Sequence, residues 1–212
     1  VIQTDISIPL PVVRGTDKTA STMPTWDWDD VEGAVRYRFG FTEGVWITEL
    51  ANASSYTPED PLSEGIYTLY VQAGKEDGRW SETASFTIEI DITPPSEVTN
   101  VTAAAGDGQV SLSWQNPVET DFDHVKILCT PGSISVTTAG SATSKVVSGI
   151  TNDTEYQFSV KSVDDIGNES TGVAISCIPD DGVGPVAPAV SGTSPTLNTS
   201  PTWTWSGGGG GN

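Results

Sequence analysis

Histidine and methionine occur once each and cysteine twice in 212 residues. A lone His124 leaves almost no material for histidine-based metal or acid–base sites, and two cysteines cannot build a disulfide scaffold. Basic residues are scarce too: 9 Lys and Arg stand against 28 Asp and Glu, a formal net charge of −19. Phosphate backbones and anionic lipids both need a basic face, so nucleic acid is disfavoured as a partner, and so is a charged membrane surface. No apolar run approaches the ~20 residues that span a bilayer, which argues against membrane insertion within this segment. G-x-S-x-G, H-E-x-x-H and Gly-rich phosphate loops are absent. Helical patterning is missing as well: no dozen-residue window carries apolar positions at 3.6 spacing free of Gly or Pro. The first residue is Val1 and no signal-peptide pattern follows it, the expectation for a segment of a longer, processed protein.

Alternation is what the sequence has in quantity. Residues 35–41 place Val35, Tyr37, Phe39 and Phe41 on one face. The same period of two runs through Tyr67, Leu69 and Val71, through Phe86, Ile88 and Ile90, and through Val110, Leu112 and Trp114. It continues in Val125, Ile127 and Cys129, in Tyr156, Phe158 and Val160, and in Val173, Ile175 and Cys177. Clusters such as Asp77-Gly78, Asp107-Gly108, Asn152-Asp153 and Gly167-Asn168 punctuate these runs. Many short half-buried strands with turn-rich separators predict an all-β chain of antiparallel β-sandwiches.

Internal repetition divides the chain. Residues 11–28 (PVVRGTDKTASTMPTWDW) align without gaps to 188–205 (PAVSGTSPTLNTSPTWTW), both closing on P-T-W-x-W, at an offset of 177 residues. That spacing suits two sandwiches of ~100 residues or fewer rather than one. A shorter echo matches Ile2, Asp5 and Ile6 to Ile88, Asp91 and Ile92. Pro94-Pro95 cannot donate ladder hydrogen bonds and marks a stiff linker. The expected organisation is a tail of a preceding unit (1–8), a first sandwich (9–94), a second (95–180) and the truncated start of a third (181–212). With 6 basic and 16 acidic residues up to position 95, and 3 and 11 over 96–180, neither full unit carries a basic face.

The second unit resembles a fibronectin type III domain over its whole length. The residues that carry the resemblance are V-T-N-V-T-A after Pro94-Pro95, then G-D-G-Q-V-S-L-S-W ending at Trp114, then D-F-D-H-V-K-I, then I-T-N-D-T-E-Y-Q-F-S-V. Ile150 takes the usual leucine place, and the resemblance puts Tyr156 at the tyrosine corner. The first unit resembles a related immunoglobulin-like repeat of bacterial surface proteins, through P-T-W-D-W, L-S-E-G-I-Y-T-L-Y-V-Q-A and D-G-R-W-S. There Leu62, Gly65 and Tyr67 reproduce the corner pattern.

Trp26, Trp28, Tyr67, Trp114 and Tyr156 are therefore expected in the cores, where each large aromatic contributes kilocalories of burial. Trp46 and Trp80 are less constrained: they either cover the sandwich or form a platform that stacks on sugar rings. Acidic groups recur at Asp29-Asp30, Glu119/Asp121/Asp123, Asp164-Asp165 and Asp180-Asp181. Glycosidase chemistry needs two carboxylates ~5–10 Å apart across a cleft, which a filled sandwich lacks, so no catalytic residue is expected. No cofactor is expected either; calcium between domains is the one candidate ion, although no EF-hand spacing occurs. Cys129 and Cys177 are expected buried and unbonded, with one strand between them. The N-x-[S/T] triplets at Asn52, Asn100, Asn152, Asn168 and Asn198 are discounted because the resemblance is to bacterial proteins.

These readings predict a non-catalytic repeat segment of a bacterial surface or secreted protein, extracellular or at the cell surface. Its role would be that of an extended spacer, its units end to end, or of an adhesion module with a protein or glycan partner and flanking repeats of its own chain. The alternative is an accessory or carbohydrate-binding module of a secreted polysaccharide-degrading enzyme.

Overall fold

The computed structural model describes residues 7–184, 189–191 and 204–206, and no helix occurs among them. The chain divides into two compact units, Val1–Thr93 together with Ile166–Asn168, and Pro94–Asp165 together with Glu169–Asn212.

In the first unit a three-stranded sheet runs in the order β1 (Val13–Arg14), β3 (Trp26–Trp28), β6 (Ser55–Tyr56). The facing sheet has five strands in the order β2 (Lys18–Thr19), β8 (Ala84–Ile90), β7 (Gly65–Gly74), β4 (Arg36–Gly40), β5 (Thr48–Ala51). One pairing departs from the all-antiparallel expectation: β2 runs parallel to β8, with Lys18 opposite Glu89. The cause is a crossing of the chain from one sheet to the other between β1 and β2. It passes at Gly15, where a Cβ would meet the Ile88 side chain at 2.8 Å. The Lys18–Asp91 ion pair, 3.0 Å long, fixes the crossed strand.

The core between these sheets is built by the alternating faces: Trp26, Trp28, Tyr37, Phe39, Leu69, Val71 and Ile88 are buried. Buried indoles need a partner for Nε1–H. Trp26 donates to the Phe86 carbonyl at 3.1 Å and Trp28 to the Ala53 carbonyl at 2.9 Å. Two positions differ from the sequence reading. Val35 is exposed because it precedes β4, at the end of the sandwich where its N–H bonds Gly74 O. Tyr67 packs against the core but is only half-buried, and its hydroxyl bonds Ser63 Oγ at 3.0 Å. It sits near the start of β7, where the sheet reaches the sandwich end.

The second unit pairs a three-stranded sheet, β13 (Ser144–Ser148), β10 (Gln109–Gln115), β9 (Thr99–Gly106), with a four-stranded one. The latter runs β12 (Ile134–Thr137), β11 (Phe122–Thr130), β14 (Tyr156–Asp164), β15 (Val173–Cys177). Val110, Leu112, Trp114, Val125, Ile127, Cys129, Tyr156, Phe158 and Val160 fill its core, each on the face that alternation assigns. Trp114 Nε1 donates to Asn116 Oδ1 at 2.7 Å, and Asn116 in turn donates to the carbonyls of Gly140 and Ala142. Tyr156 forms the corner: its hydroxyl accepts the Thr151 N–H at 3.0 Å. β14 lies between the strands bearing Cys129 and Cys177, and both thiols are free. Cys177 is half-buried rather than buried, because β15 is an edge strand.

After β15, β16 (Ala189–Ser191) pairs antiparallel with β17 (Thr204–Ser206). Its register, Val190 opposite Trp205, repeats Val13 opposite Trp28 at the same offset of 177 residues. The side chains of Trp203 and Trp205, in the expected start of a third unit, lie outside the described residues, as does most of the expected tail at 1–8.

Candidate functional site

Two features of the first unit lie outside its core. The first is on the outer face of the larger sheet. Alternation along β4 turns Tyr37 and Phe39 inward and Arg36 and Arg38 outward. Opposite Arg38, on β7, stands Gln72, whose Oε1 accepts from Arg38 Nε and Nη2 at 2.8 and 2.6 Å. Gln72 Nε2 continues to Thr83 Oγ1 at 3.0 Å. The guanidinium so fixed stacks on both indoles under question, 4.5 Å from the Trp46 ring centre and 4.1 Å from that of Trp80. Arg36 adds a further contact, 5.0 Å from the Trp80 ring, and pairs with Glu49 at 3.1 Å. Such distances lie within the ~6 Å reach of cation–π attraction. Burial lowers the Arg38 pKa, although a guanidinium stays charged in proteins.

Backbone geometry delivers Trp80 to this ladder. The 75–79 turn closes through Gly78 N–H to Lys75 O, with Gly78 at φ 88°, and leads Trp80 into a bridge with Gly74. The indole lies directly on Gly74: a Cβ there would meet Trp80 Cζ3 at 2.7 Å. Trp46 enters just ahead of edge strand β5. Both tryptophans are half-buried, and each has a face occupied by Arg38.

The second feature is a groove of about 590 Å³ along the open side of the sandwich, between edge strands β5 and β6. Phe39, Leu50, Tyr56 and Leu62 line it, with Glu59 and Asp60 beside them. Tyr56 packs its ring on Phe39 at 4.7 Å between centroids. Burial, assisted by Glu59, raises the Tyr56 pKa, so the phenol stays neutral. Sequence reasoning missed this groove: of its lining it named only Phe39 and Leu62, and those as core and corner positions.

Several of the acidic groups have partners of their own. Asp29 forms a double hydrogen bond with Arg14, and this holds its carboxyl below the usual range. Glu119 accepts from the Ser96 hydroxyl and the Ser96 N–H, with the same effect. Asp123 bonds His124 Nδ1 at 2.7 Å, and Asp180 and Asp181 accept from the N–H groups of Gly182 and Val183. Glu169 bridges Lys126 at 2.6 Å and Lys161 at 3.2 Å. Within the second unit, carboxylate oxygens of Asp121 and Asp164 approach within 4.8 Å; an acidic pair alone does not define a metal site. No helix among the described residues is long and apolar enough to cross a membrane.

Filled two-sheet cores, a tyrosine corner and the strand order of each unit define tandem β-sandwich modules. The family model of the fibronectin type III domain matches residues 93–177, so the second unit is a fibronectin type III domain. Among solved structures, the chicken CNTN1 FN1-FN3 domains align with a TM-score of 0.53 at 18% identity, covering 82% of this chain and 68% of theirs. The Clostridium thermocellum CbhA fibronectin(III)-like modules align with a TM-score of 0.51 at 13% identity, covering 85% of this chain and 94% of theirs. At these identities the likeness concerns the fold alone. No curated protein matches the chain.

Proposed function

We propose that this chain is a segment of a bacterial surface or secreted protein and serves it as a non-catalytic interaction and spacer module. Fibronectin type III domains are typically non-catalytic modules and are common in extracellular proteins. Fold alone assigns no role, so the reading rests on the side chains. The observation that carries it is the state of Trp46 and Trp80. Their stacking on Arg38 gives both indoles an internal structural task and supports covering of the sandwich over display of a free aromatic platform.

The second reading, an accessory or carbohydrate-binding module of a polysaccharide-degrading enzyme, draws on the likeness to the CbhA modules, which is one of fold. A glycan array separates the two. The interaction-module reading expects no retention on plant, fungal or bacterial glycans that depends on Trp46 or Trp80. Retention that disappears in Trp46→Ala or Trp80→Ala would establish the second reading instead.

A further inference from the structure

The groove between β5 and β6 is used neither by the core nor by the Arg38 ladder. We propose that it is a docking site for an extended cationic peptide segment of a partner protein. The segment adds as a strand to the open edge of β5 and seats its apolar side chains against Leu50, Tyr56 and Leu62. This inference rests on the reading of the chain as an interaction module and names the chemistry of its partner.

Three observations converge on that occupant. First, β5 is hydrogen-bonded on one side only, by β4, so the backbone groups of its other edge face the groove side. Edge strands are commonly protected by shortness, by charge, by Pro or by a bulge; β5 is four residues long and reads Thr48-Glu49-Leu50-Ala51, with one acid and neither Lys nor Pro. An edge left open in this way accepts a strand through main-chain hydrogen bonds, while pockets take alternate side chains. Second, the adjoining surface is apolar where a free surface would be polar. Ile47 and Leu50 are 55% and 44% exposed, and both line the groove. Its volume of about 590 Å³ is within the ordinary range of ligand sites. Third, the charge is of one sign. Glu59 and Asp60 are exposed at the rim, and none of the chain's 9 Lys and Arg lines the groove. Glu49, the acid on β5 itself, is already paired with Arg36. A segment of mixed apolar and basic residues matches that lining: its apolar side chains seat on the groove, and its long cationic ones reach the acids at the rim.

The test titrates the full chain at low salt with a ten-residue peptide of alternating Val and Lys, followed by fluorescence anisotropy and backbone amide shifts. Saturable binding with shifts centred on Thr48–Ala51 is expected. Glu59→Gln with Asp60→Asn weakens it by about fivefold. The same charge change at two exposed acids elsewhere, Glu32→Gln with Glu155→Gln, leaves it unaltered. A peptide N-methylated at alternate residues, which cannot pair with an edge, loses binding. Equal binding of the N-methylated peptide, of a Val/Glu peptide, or by the Glu59/Asp60 variant would overturn the proposal. So would competition by hexylammonium at the peptide's own concentration, which would make the groove a site for small amphipathic cations. Glycan retention that is lost in Trp46→Ala or Trp80→Ala would overturn the interaction-module reading without altering this titration, and a failed titration without such retention would overturn the groove alone.

Discussion

Arg38 lies between Trp46 and Trp80, its guanidinium carbon 4.5 Å from one ring centre and 4.1 Å from the other. The three residues come from separate parts of the first unit, and the register of β4 against β7 brings them together by setting Arg38 opposite Gln72. The contact turns two indoles that could have faced a ligand into the cover of a sheet, and it fixes a cation that would otherwise be free to pair with acid. The functional reading of the first unit follows from that arrangement.

Replacing Tyr156 by Phe tests the corner of the second unit. The hydroxyl is lost and the partly buried Thr151 N–H is left without its acceptor. Leaving such a donor unsatisfied costs about 1–2 kcal/mol. Urea unfolding followed by Trp114 fluorescence should show this loss, and the same loss should be absent from a probe of the first unit.

Acid should act on the second unit through Glu169. Its carboxyl is held below the ordinary range, chiefly by the hydrogen bond from Lys126, and Lys161 contributes as well. A folded-state pKa lowered beneath 4.5 gives stability that is present above that value and is lost as pH falls through the folded pKa. Unfolding midpoints measured from pH 7 down to 3 should therefore fall less steeply in Glu169→Gln than in the unaltered chain. The variant starts from a lower midpoint at neutral pH.

The thiols should separate by rate. Cys129 is buried with its pKa raised by that burial, whereas Cys177 is half-buried on an edge strand. Under native conditions a thiol reagent should modify Cys177 first, since the thiolate is the reactive form. In denaturant without reductant both should react; protection of the pair until reductant is added would mean a disulfide.

Much of the sandwich was legible because burial has a period of two. Trp26, Trp28, Trp114 and Tyr156 sit where their strands' alternation places them, and the 177-residue repeat recurs as identical pairing of Val13 with Trp28 and Val190 with Trp205. Tyr67 and Val35 follow the same alternation but lie where their strands leave the core, and sequence periodicity carries no information on where a sheet ends. The Arg38 ladder escaped notice for a different reason. Arg38 and Trp80 are 42 positions apart and meet only through strand order, although Arg36 and Arg38 on the outward face of R-Y-R-F were a visible signal. The groove depends on how far β5 and β6 stand apart, which no local pattern encodes.

The most direct test is a double-mutant cycle on Arg38 and Trp80, using Arg38→Ala, Trp80→Ala and both together, with unfolding free energies of the full chain as readout. If the indole is engaged within the chain, the two losses are non-additive, with a coupling of about 0.5–2 kcal/mol. Additive losses would contradict the structural role of Trp80 and return it to the surface as a free aromatic face.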